Sequence, residues 1–155
     1  MSAKGEMLVY KRARFGTRLP VDRLYTRSHY WLQETEPGVW HVGFTKFASR
    51  MLGDIVEYQM DVAPGSPVSR GEKVGWIEGF KAVSDVYSTV QGVFEGTNPE
   101  LKDDITLLES DPYGRGWLFS VRGVPEPDAV NADGYVTILD ATIDKMLAGR
   151  HEAAE

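Results

Sequence analysis

Gly75-Trp-Ile-Glu-Gly-Phe-Lys-Ala-Val-Ser-Asp-Val-Tyr-Ser-Thr-Val-Gln-Gly92 reads as strand, tight turn, strand. Val74 and Trp76 fall on one face of the incoming strand, and Val86, Ser88 and Val90 on one face of the outgoing one, because strand side chains alternate. Gly79 supplies turn chemistry and Lys81 falls at or next to the hairpin tip. A tip lysine ordinarily serves solubility and protects a sheet edge. Here it is framed by Glu78 and Asp85 with the small Ala82 beside it, a setting that presents the amine to partners.

Working outward, short apolar runs recur at Tyr30–Gln33, Val39–Phe44, Asp54–Val62, Lys73–Ile77, Val86–Phe94 and Gly116–Val121. Turn signals separate them: Glu36-Pro-Gly38, Ala63-Pro-Gly65, Ser69-Arg-Gly71 and Asp111-Pro-Tyr-Gly114. Short strands at such spacing predict a mainly β barrel or sandwich. Thr45–Gly53 departs from it as a short helix with Thr45 as N-cap, Phe47, Ala48, Met51 and Leu52 on one face, and Gly53 as its stop. Asp140–Gly149 repeats the logic, with Asp140 as cap, Ile143, Met146 and Leu147 inward, and Gly149 at the end. The chain divides into a basic, irregular arm over 1–20 carrying Lys11, Arg12, Arg14 and Arg18, a β domain over 21–123, and a connector with a C-terminal helix over 124–155 packed on that domain. Val124–Asp133 reads as extended connector and residues 150–155 as frayed.

The 155 residues suit one domain that needs neither disulfide nor metal for stability. Zero cysteines exclude a disulfide scaffold, a Cys-based zinc site, an iron–sulfur cluster and a Cys nucleophile. With 23 acidic against 17 basic residues, no nucleic-acid partner is expected. No apolar run reaches the length of a membrane span and no apolar segment follows the basic start, so a cytoplasmic protein is expected. His29, His41 and His151 lie in different elements and predict no metal site. Ser84-Asp85 lacks a nucleophile-elbow pattern, and Gly71, Gly75 and Gly79 make no phosphate loop.

The chain resembles the lipoyl-carrier H protein of the glycine cleavage system over roughly Leu24 to Gly123, with the order of motifs preserved. Leu24-Tyr-Thr26 before His29 and Trp31 resembles the start of that family. Val42-Gly-Phe-Thr45, Phe47-Ala48 and Leu52-Gly-Asp-Ile-Val56 resemble its strand–helix–strand unit. Pro64-Gly65 and Gly71-Glu72 resemble the turns leading to its lipoyl hairpin. Lys81-Ala-Val-Ser-Asp-Val-Tyr-Ser88 resembles the segment bearing the modified lysine, and Gly92-Val93, Asn98-Pro99 and Ser110–Leu118 its closing turn. The resemblance implies a barrel-like β sandwich of the lipoyl/biotinyl-carrier type with a short internal helix and a C-terminal helix. It also implies a non-enzymatic carrier, monomeric, with lipoic acid amide-linked to Lys81 as N6-lipoyl-lysine. Glu78, Gly79, Phe80, Ala82 and Asp85 then surround the attachment point, and His29 lines the groove where the arm rests. Implied partners are a lipoate-attaching ligase or transferase and the enzymes the arm visits.

Two competitors remain. Biotin hairpins carry methionine on both sides of the lysine, where this chain has Phe80 and Ala82. An unmodified β-barrel binding module is the other.

The chain departs from the H-protein pattern where it has Gly79-Phe80 in place of Ser-Val before the lysine, and Tyr30 in place of Glu between His29 and Trp31. These departures point toward the divergent lipoate-binding proteins of bacterial sulfur oxidation, whose client is a cytoplasmic heterodisulfide-reductase-like complex. The alternative client is the set of glycine cleavage enzymes, for which the arm carries an aminomethyl group.

Overall fold

The structure, a computed structural model, describes residues 5–154, with side chains through Arg150. A hairpin of β1 (Met7–Arg12) and β2 (Phe15–Pro20) opens the chain. A six-stranded antiparallel sheet follows in the order β3-β4-β5-β11-β10-β7, built from Leu24–Tyr25, Tyr30–Glu36, Val39–Phe44, Phe119–Pro125, Val90–Thr97 and Pro67–Val68. A second sheet, β6-β8-β9, comprises Ile55–Met60, Lys73–Gly79 and Val83–Tyr87. Helices α1 (Lys46–Leu52), α2 (Leu107–Ser110) and α3 (Ala132–Ala154) complete it, with a 3-10 turn over Pro99–Lys102. The two larger sheets enclose one core that includes Leu32, Val42, Ile77, Val86, Phe94 and Leu118. The sandwich and the C-terminal helix expected from the sequence are present. Among the described residues no sheet closes into a ring, so "barrel" is only a loose description.

The first correction concerns the N-terminal segment, which is not an irregular arm. Tyr10, Phe15 and Leu19 alternate with the basic residues and are buried against α1 and α3 in a second core, with Tyr25, Trp31 and Tyr135. The turn escapes a sequence reading because Ala13, not glycine or asparagine, adopts the positive φ of 54° that reverses the chain. Residues 1–4 of the expected arm lie outside the described residues.

The second correction concerns α3. It starts at Ala132, eight residues before Asp140, because the Asn131 side chain accepts from the Gly134 N–H at 2.8 Å and caps the helix there. Asp140 instead accepts from the Tyr10 hydroxyl at 2.8 Å and pairs with Arg12 at 3.3 Å. The helix runs through Gly149, since glycine weakens a helix without obliging it to stop. Ile143 is buried as expected, but Met146 is exposed. The fraying expected over 150–155 is corrected for 150–154, whose backbone continues the helix, while Glu155 lies outside the described residues.

The third correction is in the deciding hairpin. A bulge between Lys73 and Gly75 shifts the register, so Val74 is buried while Trp76 faces out, and the inward positions become Gly75, Ile77 and Gly79. The expected single strand Val86–Phe94 is two strands. It breaks at Ser88-Thr89, where the Ser88 hydroxyl donates to Val90 O at 2.6 Å and the chain passes from the small sheet to the large one.

Candidate functional site

The β8–β9 hairpin places Gly79-Phe-Lys-Ala82 at its tip, beyond the last pair Glu78–Val83. The Gly79 N–H donates to Ala82 O at 2.9 Å and closes the turn. The tip is then pinned to the α1–β6 junction, with the Lys81 N–H donating to Leu52 O at 2.9 Å and the Phe80 N–H to Asp54 O at 3.0 Å. Both acceptors flank Gly53, the α1 stop, whose φ of 78° and N–H to Ser49 O bond at 3.0 Å end the helix. Glycine is required there for a second reason: a Cβ at 53 would stand 2.9 Å from Lys81 Cγ.

Gly79 has no positive φ, so its role is close approach rather than turn flexibility. A Cβ there would lie 2.1 Å from Leu52 O. This bare backbone contact seats the tip on α1. Glu109 fastens the floor from below, where its side chain accepts from the Ile55 N–H at the start of β6 while its carbonyl accepts from Lys46 Nζ at 3.4 Å.

Lys81 itself is exposed, and among the described residues its Nζ reaches only Arg50 O, at 3.5 Å. Ala82 and Asp85 are exposed, and Phe80 is 80% exposed immediately before the lysine. Asp85 does not face the lysine; it pairs with Lys73 at 3.2 Å and accepts from the Tyr87 hydroxyl at 3.3 Å. Glu78 is half-buried, on the outward face with Trp76.

Two grooves meet at Lys81. One, of about 370 Å³, is lined by Lys46, Ser49, Asp54, Phe80 and Glu109 among others. The other, of about 550 Å³, runs between α1, the β1–β2 turn and the distal half of α3. An exposed primary amine with one weak contact, on a clamped tip beside two grooves, fits an acyl group on a long arm.

His29 is not a lining residue of either groove, contrary to the sequence expectation. Its φ of 70° turns the ring inward, where Nδ1 is hydrogen-bonded to the Tyr135 hydroxyl at 2.8 Å and the ring packs on Phe47 at 4.7 Å. Tyr135 also bonds Thr45 Oγ1 at 2.8 Å, and Thr45 caps α1 by accepting from the Ala48 N–H. Burial pushes His29 down to about 4, so the ring is neutral at ordinary pH and joins α1 to α3.

Tyr30 is likewise a core residue. It stacks with Phe44 at 5.3 Å, and its hydroxyl accepts from the Tyr87 N–H at 3.3 Å, which ties the large sheet to β9. The departures at Tyr30 and Gly79 are thus explained by packing, and neither is evidence of a special client.

The sequence reading missed the α1 end, Arg50 to Asp54, as a partner of the tip. The Leu52-Gly53-Asp54 punctuation was its only signal. His41 stacks on Trp117 at 3.9 Å, away from the hairpin, and the His151 side chain lies outside the described residues. Among the described residues no helix is long and apolar enough to cross a membrane.

A sequence model of the glycine cleavage H-protein family matches residues 23–139. The chain is 42% identical over 123 residues to the glycine cleavage system H protein of Thermobifida fusca, covering 79% of this chain and 96% of that one. It is 40% identical over 126 residues to that of Mycolicibacterium vanbaalenii, covering 81% and 92%. Among solved structures, a glycine cleavage system H protein from Mycobacterium marinum superposes with a TM-score of 0.69 at 35% identity, covering 77% of this chain and 97% of that one. These findings lend nothing to the sulfur-oxidation client and favour its glycine-cleavage alternative.

Proposed function

The chain belongs to the glycine cleavage H-protein family, carriers rather than enzymes that bear lipoic acid covalently on a lysine, and we propose on that footing that Lys81 is the lipoylated lysine and glycine cleavage the system it serves. The observation that carries this reading is the tip itself: an exposed amine on a backbone held by hydrogen bonds to Leu52 and Asp54. When bound, the group supplies a dithiol/disulfide pair on a flexible tether, raising its effective concentration at whichever enzyme the protein docks on.

The chain's own residues do the rest. Gly79 and Gly53 let the tip sit against α1, so Lys81 leaves the body in one direction. Phe80, Ala82 and the half-buried Glu78 form the surface that the lipoate-attaching ligase or transferase reads. Asp85 acts through its pair with Lys73, which fastens the β8–β9 ladder. His29 contributes by holding Phe47 and the α1 cap in place. The partners under this reading are that attaching enzyme and the glycine cleavage enzymes, in the cytoplasm, with the carrier as a monomer.

The test is intact mass after expression with lipoate. A lipoyl increment on Lys81, absent in Lys81→Arg, is expected, because a guanidinium that stays protonated cannot accept the acyl group. The lipoylated protein should then support glycine decarboxylation with the other glycine cleavage components. An increment with no such support, but turnover with a heterodisulfide-reductase-like complex, would overturn the client.

A further inference from the structure

The β1–β2 hairpin precedes the family-matched residues 23–139 and has two unlike faces. The inner face is fixed to the body: Tyr10, Phe15 and Leu19 are buried, and the Tyr10 hydroxyl donates to Asp140 at 2.8 Å. The outer face carries Met7, Val9 and Lys11 on β1, with Arg18 across from Val9 on β2. All four are exposed, Val9 by 74%. An apolar β-branched side chain so placed is a liability on an edge strand, which sheets usually guard. β1 pairs with β2 alone, so its other edge has no partner strand among the described residues. Arg12 and Phe15 close the two-residue turn as a hydrogen-bonded pair, and bonded pairs alternate along an antiparallel ladder. Met7, Val9 and Lys11 therefore aim their N–H and C=O groups at the free edge. Among the described residues none of these groups takes part in a turn, loop or cap bond.

We propose that the free edge of β1 is a docking site for an extended acidic segment of a partner protein, which adds to the hairpin as a third strand. Two observations select this occupant. Backbone N–H and C=O groups aimed along one edge are satisfied by another strand, and neither a helix nor a bilayer surface offers the matching ladder. The charge selects its chemistry. Residues 5–20 hold four basic residues and one acidic residue on a chain of net charge -6. Lys11, Arg14 and Arg18 form no ion pair among the described residues. Acidic side chains on the outer face of the added strand stand beside Lys11 and diagonal to Arg18, and apolar ones on its inner face stand beside the half-buried Leu8. A second copy of this chain fits worse, because pairing two β1 edges brings two basic hairpins together.

The edge is presented rigidly, since Tyr10–Asp140 and Arg12–Asp144 bond the hairpin to α3, so little ordering is left for docking to impose. The turn residues Ala13 to Phe15 line the groove that ends at Lys81, so a segment paired with β1 is held beside the hairpin tip. Lys81 is not part of the edge, and the docking surface goes beyond the reading of that lysine without resting on it.

The probe is a blocked peptide of about seven residues alternating glutamate and valine, titrated into the full-length protein while backbone amides are followed by NMR and hydrogen exchange. Binding is expected to protect the amides of Met7, Val9 and Lys11 and to leave Leu8 and Tyr10, already bonded to β2, unchanged. The matching lysine–valine peptide is expected to bind roughly tenfold more weakly. Val9→Pro removes one outward N–H at a position where an edge strand tolerates proline, and is expected to abolish binding while the Tyr10 amide stays protected. Should that variant lose the hairpin, Lys11→Glu with Arg18→Glu, both on exposed side chains, is expected to transfer the preference to the lysine–valine peptide. Shifts spread over the basic residues without alternate-residue protection would overturn the strand site, as would equal binding of the two peptides. Protection of the same three amides in the protein alone, rising with its concentration alongside a dimer mass, would overturn the acidic partner in favour of a second copy. Binding to phosphatidylserine vesicles without binding to the peptide would overturn it in favour of a lipid surface.

Discussion

Gly79→Ala tests whether close backbone approach, rather than turn flexibility, holds the hairpin tip. The added Cβ would stand 2.1 Å from Leu52 O, 2.7 Å from Leu52 C and 3.1 Å from Leu52 Cβ. Relieving that overlap requires the tip to withdraw by about 1 Å. Withdrawal weakens two hydrogen bonds, Lys81 N–H to Leu52 O and Phe80 N–H to Asp54 O. Each is worth about 1 kcal/mol net, and residual overpacking adds about 1 kcal/mol or more. The smaller entropy of an unfolded chain carrying alanine returns about 0.5 kcal/mol. The net loss is about 2–3 kcal/mol. Urea unfolding followed by tryptophan fluorescence should show the midpoint falling by roughly 1 M at unchanged slope, for a slope in the usual range. Amide hydrogen exchange should localise the change to Phe80 and Lys81. An unchanged midpoint with both amides still protected would refute the account, since the tip would then be held by something other than its contact with α1.

The remaining predictions concern the body that supports the tip. His29, held down at about 4 by burial against its ordinary 6.5, is neutral in the folded state. Between those values the unfolded chain binds the extra proton, so stability is full above about pH 6.5 and falls as pH drops toward 4, by at most about 3 kcal/mol and less for a partly exposed ring. Unfolding midpoints from pH 4 to 7 should show this slope, and His29→Gln should flatten it. Tyr135→Phe removes the hydroxyl shared by His29 and Thr45 and should cost about 1–3 kcal/mol. Phe15→Ala should cost about 3 kcal/mol and release β1–β2 from the edge-to-face contact with Phe47, read as faster amide exchange confined to that hairpin. Gly149→Ala, whose added Cβ meets nothing within 4 Å, should raise helicity by circular dichroism and stabilise by up to about 1 kcal/mol.

Local rules made much of this fold legible before any coordinates. Thr45 and Gly53 bracket α1 because a side-chain cap and a left-handed stop are local chemistry. The Gly75–Gly92 hairpin was legible because turn signals flank β-branched and aromatic residues. What escaped was decided by tertiary contact. The β1–β2 hairpin turns at Ala13, a residue without turn preference, and its strands hold their shape because Tyr10, Phe15 and Leu19 find α1 and α3. The bulge at Val74 inverts which side chains of β8 face inward, and nothing in a period-two pattern announces an inserted residue. Met51 and Met146, at helical positions that read as core, instead border the groove between additions that no helix-by-helix reading brings together.

The hydrogen bonds that clamp the tip are all backbone to backbone, so they fix where Lys81 stands while leaving its neighbours free to change. Gly53 and Gly79 are the exceptions, because there a Cβ itself would intrude. Discrimination between clients therefore cannot reside in the tip's conformation. It has to come from exposed side chains such as Phe80 and Val83, and from whatever stands beside the lysine. In this chain the α1 segment shares that second place with residues 12–15 and the distal half of α3. Arg14, Arg50 and Arg150 line the same groove as Lys81 and form no ion pair among the described residues, on a chain of net charge -6. A local basic rim on an acidic protein is a field the rest of the surface opposes, so its reach is short and falls with salt over about 10 Å. Such a rim acts on what is already tethered at Lys81 or docked against it far more than on distant partners. Raising ionic strength should accordingly change the arm's behaviour on the body less than it changes the rate at which enzymes first encounter the carrier.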